Sequence, residues 1–90
     1  MLISLYSSDF SRSMNNSEEQ LKTKINEIAD KIKQLRKNSG YSSHETFAYD
    51  KNLDRVQYWR IESGSNITLK TLLKILKIHN MSLEDFFKGL

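Results

Sequence analysis

Three times between residues 53 and 86 the sequence repeats one local arrangement: an apolar residue, then Ser, Thr or Asp, then a second apolar residue four places after that cap. The trios are Leu53-Asp54-Tyr58, Ile67-Thr68-Leu72 and Met81-Ser82-Phe86. A short oxygen-bearing side chain ahead of a helix accepts from the free N–H groups of the first turn, and the flanking apolar pair closes over the junction as a staple. Each trio therefore predicts a helix start. Starts this close together leave room only for short helices joined by turns of a few residues, and such helices are stable only when packed on one another. The absence of proline suits a helical chain.

Upstream, Ser17-Glu18-Glu19-Gln20 has the form of a capping box and leads into apolar residues at Leu21, Ile25, Ile28, Ala29, Ile32 and Leu35. These steps of three and four predict one buried face of a first helix, ending near Asn38-Ser39-Gly40. A second helix is expected around HETFAYD, capped by Ser42 or Ser43, with Glu45 completing a box if Ser42 is the cap. The expected architecture is all-α: a compact five-helix domain over residues 17–90. Residues 1–16, rich in Ser and Asn and without periodicity, are expected to form a flexible, disordered N-terminal arm.

A chain of 90 residues builds a small core with little room for a substrate cleft. Cysteine is absent, which removes disulfides and thiolate metal sites, and His44 and His79 have no partner at ligand spacing. No metal or cofactor is expected. No nucleophile, base and orienting group fall at motif spacing, so an enzyme is not expected. The opening MLISLYSSDF has neither a basic leader nor a long apolar run, giving the expectation of a cytoplasmic chain without a membrane anchor. A net charge of +3 and a pI near 9.2 permit an anionic partner without demanding one.

The segment DRVQYWRIESG narrows the choice of partner. At 100° per residue, Tyr58 and Ile61 share one side of a helix over 54–63, with Asp54 and Glu62 flanking them. Val56, Trp59, Arg60 and Ser63 take the opposite side, and Arg55 lies at the edge of the first turn. A helix held by Tyr58 and Ile61 thus offers arginine and apolar groups outward. Arginine can pair bidentately with guanine O6 and N7, and an apolar side chain can meet a thymine methyl in the major groove. An ordinary solvated helix is the plain alternative on spacing alone.

From about Ile28 to Phe87 the chain resembles the helix-turn-helix domains of the lambda-repressor and Cro type, the XRE family. The residues that carry the likeness are IKQLRKNSG, the pair Phe47-Ala48, LDRVQYWRIESG, NITLKTLLKIL and MSLEDFF. The distance from Ala48 to Glu62 matches the family's spacing without a gap. The stretch YSSHETFA and the run Asn66-Ile67-Thr68-Leu69 are most similar to the branch common in Bacteroidetes. Two departures accompany the likeness: one extra residue lies between Arg36 and Ala48, and His44 stands where the family usually has Gln in the first turn of helix two. Trp59 replaces a smaller residue, and either faces DNA or folds back onto helix two.

The resemblance implies a sequence-specific regulator of transcription that binds double-stranded DNA, acting as a repressor by occupying an operator with helix three in the major groove. Base reading is expected from Arg55, Val56, Trp59 and Arg60. Phosphate contacts are expected from Ser43 or His44 with the free N–H groups of helix two, and from Ser65, Asn66 and Lys70 around the turn into helix four. Lys74 and Lys77 read as a solvated helix face. The resemblance also implies a partly buried ion pair between Arg36 and Glu62. Gly64 is expected to end helix three with positive φ. Phe86 and Phe87 are adjacent and cannot both face one core, so one is a candidate for the interface of a homodimer on DNA. Other readings are an antitoxin that binds a toxin, and a protein-interaction module on the same fold without DNA binding.

Overall fold

The computed structural model describes the backbone from Leu2 to Leu90 and side chains from Asn16 onward. Five helices follow in order: α1 Leu2–Asn38, α2 His44–Asp50, α3 Arg55–Glu62, α4 Leu69–Ile78 and α5 Leu83–Phe87. Ser17 therefore lies inside α1 and does not start it. The capping-box pattern there fails because nothing upstream interrupts the helix: residues 1–39 contain no glycine and no proline. The arm expected over residues 1–16 falls almost wholly outside the residues whose side chains are described.

The remaining starts follow side-chain capping. Asp54 accepts from the Gln57 N–H at 2.7 Å, Thr68 from Thr71 at 3.2 Å, and Ser82 from Asp85 at 3.0 Å. Of the two serines ahead of α2, Ser43 is the cap, its hydroxyl accepting from the N–H groups of Glu45 and Thr46.

The helix ends are as regular as the starts. Gly40, Asn52, Gly64 and Asn80 all have positive φ, of 92°, 57°, 96° and 53°. Each stands just past a helix end, and the N–H of the next residue reaches back over the last turn: Tyr41 to Arg36, Leu53 to Ala48, Ser65 to Arg60 and Met81 to Leu76. This is the Schellman closure, which satisfies carbonyls that a helix end would otherwise leave free. Leu53 and Met81 then serve twice, ending one helix and opening the next, which is why the α2–α3 and α4–α5 turns are so short.

The core consists of Ile32 from α1, Phe47 and Ala48 from α2, Tyr58 and Ile61 from α3, Leu72, Ile75 and Leu76 from α4, and Phe86 from α5. Phe47 lies at its centre, with ring centroids of Tyr41, Tyr58 and His79 at 5.2, 5.2 and 5.4 Å. Lys31 of α1 donates to the Phe86 carbonyl and lies over the Phe86 ring, tying the last helix to the first. Among the described residues, no helix is long and apolar enough to cross a membrane.

Candidate nucleic-acid interface

The position of α3 follows from two buried anchors. Tyr58 and Ile61 are 1% and 4% exposed, while Val56 and Trp59 on the other side are 52% and 50% exposed. Arg55, Gln57 and Arg60 are exposed as well. The helix is short, so these anchors and the two end motifs determine its orientation. A half-exposed Trp59, in no ring contact among the described residues, stands on the outward side with Val56 and Arg60.

The back of α3 is tied to α1. Arg36 Nε and Nη2 donate to the two carboxylate oxygens of Glu62 at 2.8 and 3.0 Å, and Nη1 donates to the Tyr41 carbonyl at 2.7 Å. The two side chains are 4% and 7% exposed. Burial alone would push the Glu62 carboxyl up, but the Arg36 hydrogen bonds and charge outweigh it and hold the carboxyl below its ordinary value. The Tyr58 hydroxyl is buried beside the pair without a hydrogen bond of ordinary geometry, and burial, followed by the closeness of the Glu62 carboxylate as an acceptor and then as a charge, raises its pKa strongly. Gly64 closes the same junction: a Cβ there would meet Asn26 Oδ1 at 2.8 Å, in a backbone conformation that already disfavours side chains.

Two clefts flank α3. On one side Arg60 joins Ser65, Asn66, Gln57, Thr68 and Thr71 around a single cleft. On the other, Arg55 meets Glu45, Thr46, Tyr49 and Leu53. Arg55 Nη1 stands 3.9 Å from Glu45 Oε2, with the two side chains 68% and 61% exposed.

A sequence model of the helix-turn-helix family matches residues 32–86. The chain belongs to that family. The match begins at buried Ile32 and ends at buried Phe86, so it spans the core from α1 to α5. No curated protein and no solved structure matches the chain. Within the helix-turn-helix, α2 and α3 are its paired helices and the turn at Lys51–Asp54 joins them. Domains of this family generally bind DNA, and the fold here is consistent with a DNA-binding regulatory function.

The residues expected at phosphates are dispersed over this unit. Ser43 and His44 stand at the N-terminus of α2 and are partly exposed. Ser65 and Asn66 lie in the α3–α4 turn, and Lys70 is exposed in the first turn of α4, outside both clefts. Glu45, Gln57 and Tyr49, the last 86% exposed, are among the cleft-lining residues that sequence reasoning did not assign to DNA. The four-residue step from Glu45 to Tyr49, beside the inward pair Phe47-Ala48, was the available signal for an outward stripe on α2. Among the described residues, no group of three or more His, Cys, Asp or Glu side chains converges as a metal site.

Proposed function

We propose that this helix-turn-helix protein is a sequence-specific transcriptional regulator of the lambda-repressor and Cro type, acting as a repressor by occupying an operator in double-stranded DNA. The observation that supports this most is α3 itself: buried Tyr58 and Ile61 fix it, while Arg55, Val56, Trp59 and Arg60 are all exposed. Rigid backing matters because base reading depends on guanidinium placement at hydrogen-bonding distance from base edges. Ser43, His44, Ser65, Asn66 and Lys70, at the start of α2, in the α3–α4 turn and in the first turn of α4, would set its register on the phosphates. The mechanism is occlusion, with no chemistry performed on DNA, in a bacterial cytoplasm.

A reading head this small makes few base contacts, so we propose that it binds as a two-fold dimer on half-sites about 34 Å apart. Phe86 is fully buried and Phe87 is 39% exposed, which supports Phe87 as part of the contact between copies. Selection of bound sequences from a random duplex pool tests the reading directly. Enrichment of a two-fold symmetric motif is expected; a pool that stays random even at low salt refutes it.

The half-exposed indole supports a second reading, a protein-interaction module or antitoxin with Trp59 anchored in a partner's pocket. Trp59 fluorescence separates the two. On the repressor reading it changes on adding operator DNA; a response only to a protein partner favours the second.

A further inference from the structure

The α2–α3 corner carries a negative charge where a DNA-reading surface has a reason to avoid one. Glu45 is the second residue of α2, and with Ser43 as the N-cap it stands one position too early for a reciprocal capping box. An acid in the first turn of a helix adds little to stability at an exposed site, where solvent screens it from the helix dipole. An open ion pair adds as little to folding. On a duplex, however, the N-terminal end of the first helix of this motif approaches the phosphate backbone, which repels a carboxylate. Glu45 therefore costs general affinity without contributing much to the fold.

The geometry with Arg55 offers a return. Arg55 is the first residue of α3 and its guanidinium has more than one donating edge. With Nη1 drawn toward Glu45 Oε2, the edge formed by Nε and Nη2 stays open for the O6 and N7 of a guanine. The carboxylate also competes with phosphates for the same guanidinium. A long, solvated arginine at the mouth of the groove would otherwise take the nearest phosphate, a contact that carries no sequence information.

We propose that Glu45 is a positioning and specificity-determining residue, which holds Arg55 away from the backbone and turned toward a base edge. General affinity is thereby exchanged for discrimination at one base pair. The assignment rests on the reading of α3 as the base-reading helix.

The test uses the full chain and the variants Glu45→Gln, Arg55→Ala and the double variant, titrated with selected operator, with operators altered one base pair at a time, and with random duplex at several salt concentrations. Glu45→Gln should leave the thermal midpoint unchanged, tighten binding to random duplex by about two- to tenfold, and reduce the preference at the Arg55 base pair by about fivefold or more. In the Arg55→Ala background it should reduce base preference no further. A merely structural role would not move the two affinities in opposite directions. An Arg55-dependent preference that survives Glu45→Gln intact, or a Glu45→Gln variant that weakens all duplexes equally, overturns the assignment alone. Absence of any base preference dependent on Arg55 overturns the reading of α3 and the assignment with it.

Discussion

Among the described residues, two arginine–glutamate pairs each have one partner on α3, and they differ in almost every physical respect. Arg36 and Glu62 meet with two hydrogen bonds of 2.8 and 3.0 Å and are nearly excluded from water; Arg55 and Glu45 stand 3.9 Å apart and are mostly solvated. In the first pair, little water screens the charges and each guanidinium nitrogen donates one hydrogen bond, the third nitrogen to the Tyr41 carbonyl. In the second, water screens the attraction and donors remain free. The chemistry of the partners is the same, so surroundings decide the role. A buried pair joins helices and is closed to a ligand by its burial, whereas an open pair joins nothing firmly and keeps its donors accessible to one.

The largest effect expected from this contrast is on the buried side. Glu62→Ala strands Arg36 inside the domain and should cost about 3–5 kcal/mol in urea denaturation. Replacing both partners by apolar residues, Arg36→Met with Glu62→Leu, removes the charge to be solvated and should cost distinctly less. Equal losses for the single and double variants would break the comparison, because they would mean that the pair itself, and not the stranded charge, carries the energy.

On the open side the expected losses appear in binding. Arg55→Ala should remove about 1–3 kcal/mol of preference for one base pair. Lys70→Ala, in the first turn of α4, should instead weaken binding to all sequences alike and flatten the slope of log affinity against log salt by about one unit. Titrations on operator and random duplex at several salt concentrations check both. If the two variants behaved identically, base reading and backbone contact would not be divided between these residues.

These contrasts were unequally legible in the sequence. Caps are local chemistry, so Asp54, Thr68 and Ser82 and the staples around them could be read from spacing, and the inward placement of Tyr58 and Ile61 followed from helical periodicity. Choosing Ser43 over Ser42 needed the structure, because both serines offer the same oxygen and only the backbone decides which hydroxyl faces the free N–H groups. The Ser17 pattern lies within the helical span of α1 for a related reason: a capping-box pattern also fits inside a helix when no glycine or proline precedes it. The Asn52 and Asn80 helix ends carry a weaker sequence signal, since asparagine adopts positive φ less obligatorily than glycine. In the sequence Glu45 reads as a capping-box partner only if Ser42 is the cap. Its proximity to Arg55 depends on how α2 packs against α3, and no local pattern encodes that.

Acid titration offers a subtler separation of buried groups. The His79 ring stacks on Phe47, its Nε2 is buried with no partner among the described residues, and burial, helped by the Lys51 charge, lowers its pKa from 6.5. The unfolded chain therefore binds the proton more readily, and stability should fall as pH drops below 6.5 toward the folded-state value. Glu62 acts in a lower window: its folded pKa is below 4.5, so the stability it contributes is complete above that value and is lost as pH falls through the folded pKa. In urea denaturation between pH 7 and pH 5, wild type should lose stability while His79→Phe, which keeps a ring on Phe47, stays flat. Equal slopes in the two proteins would remove His79 from the account.

The smallest expected effect is the sharpest check on the contrast between the two pairs. A double-mutant cycle on Glu45 and Arg55, measured as folding stability without DNA, should give a coupling of about 0.5 kcal/mol or less, reduced further by salt. At 3.9 Å in open solvent, fixing two long side chains costs entropy comparable to the attraction gained. The same cycle measured as preference for the cognate base pair should show clear coupling, because bound DNA excludes water from the corner and the guanidinium then has a definite alternative between phosphate and base. A coupling of several kcal/mol in the free protein would place Glu45 and Arg55 with Arg36 and Glu62 as a structural joint. A coupling near zero in both measurements would leave Glu45 as an ordinary first-turn acid and return the whole of the base preference to Arg55.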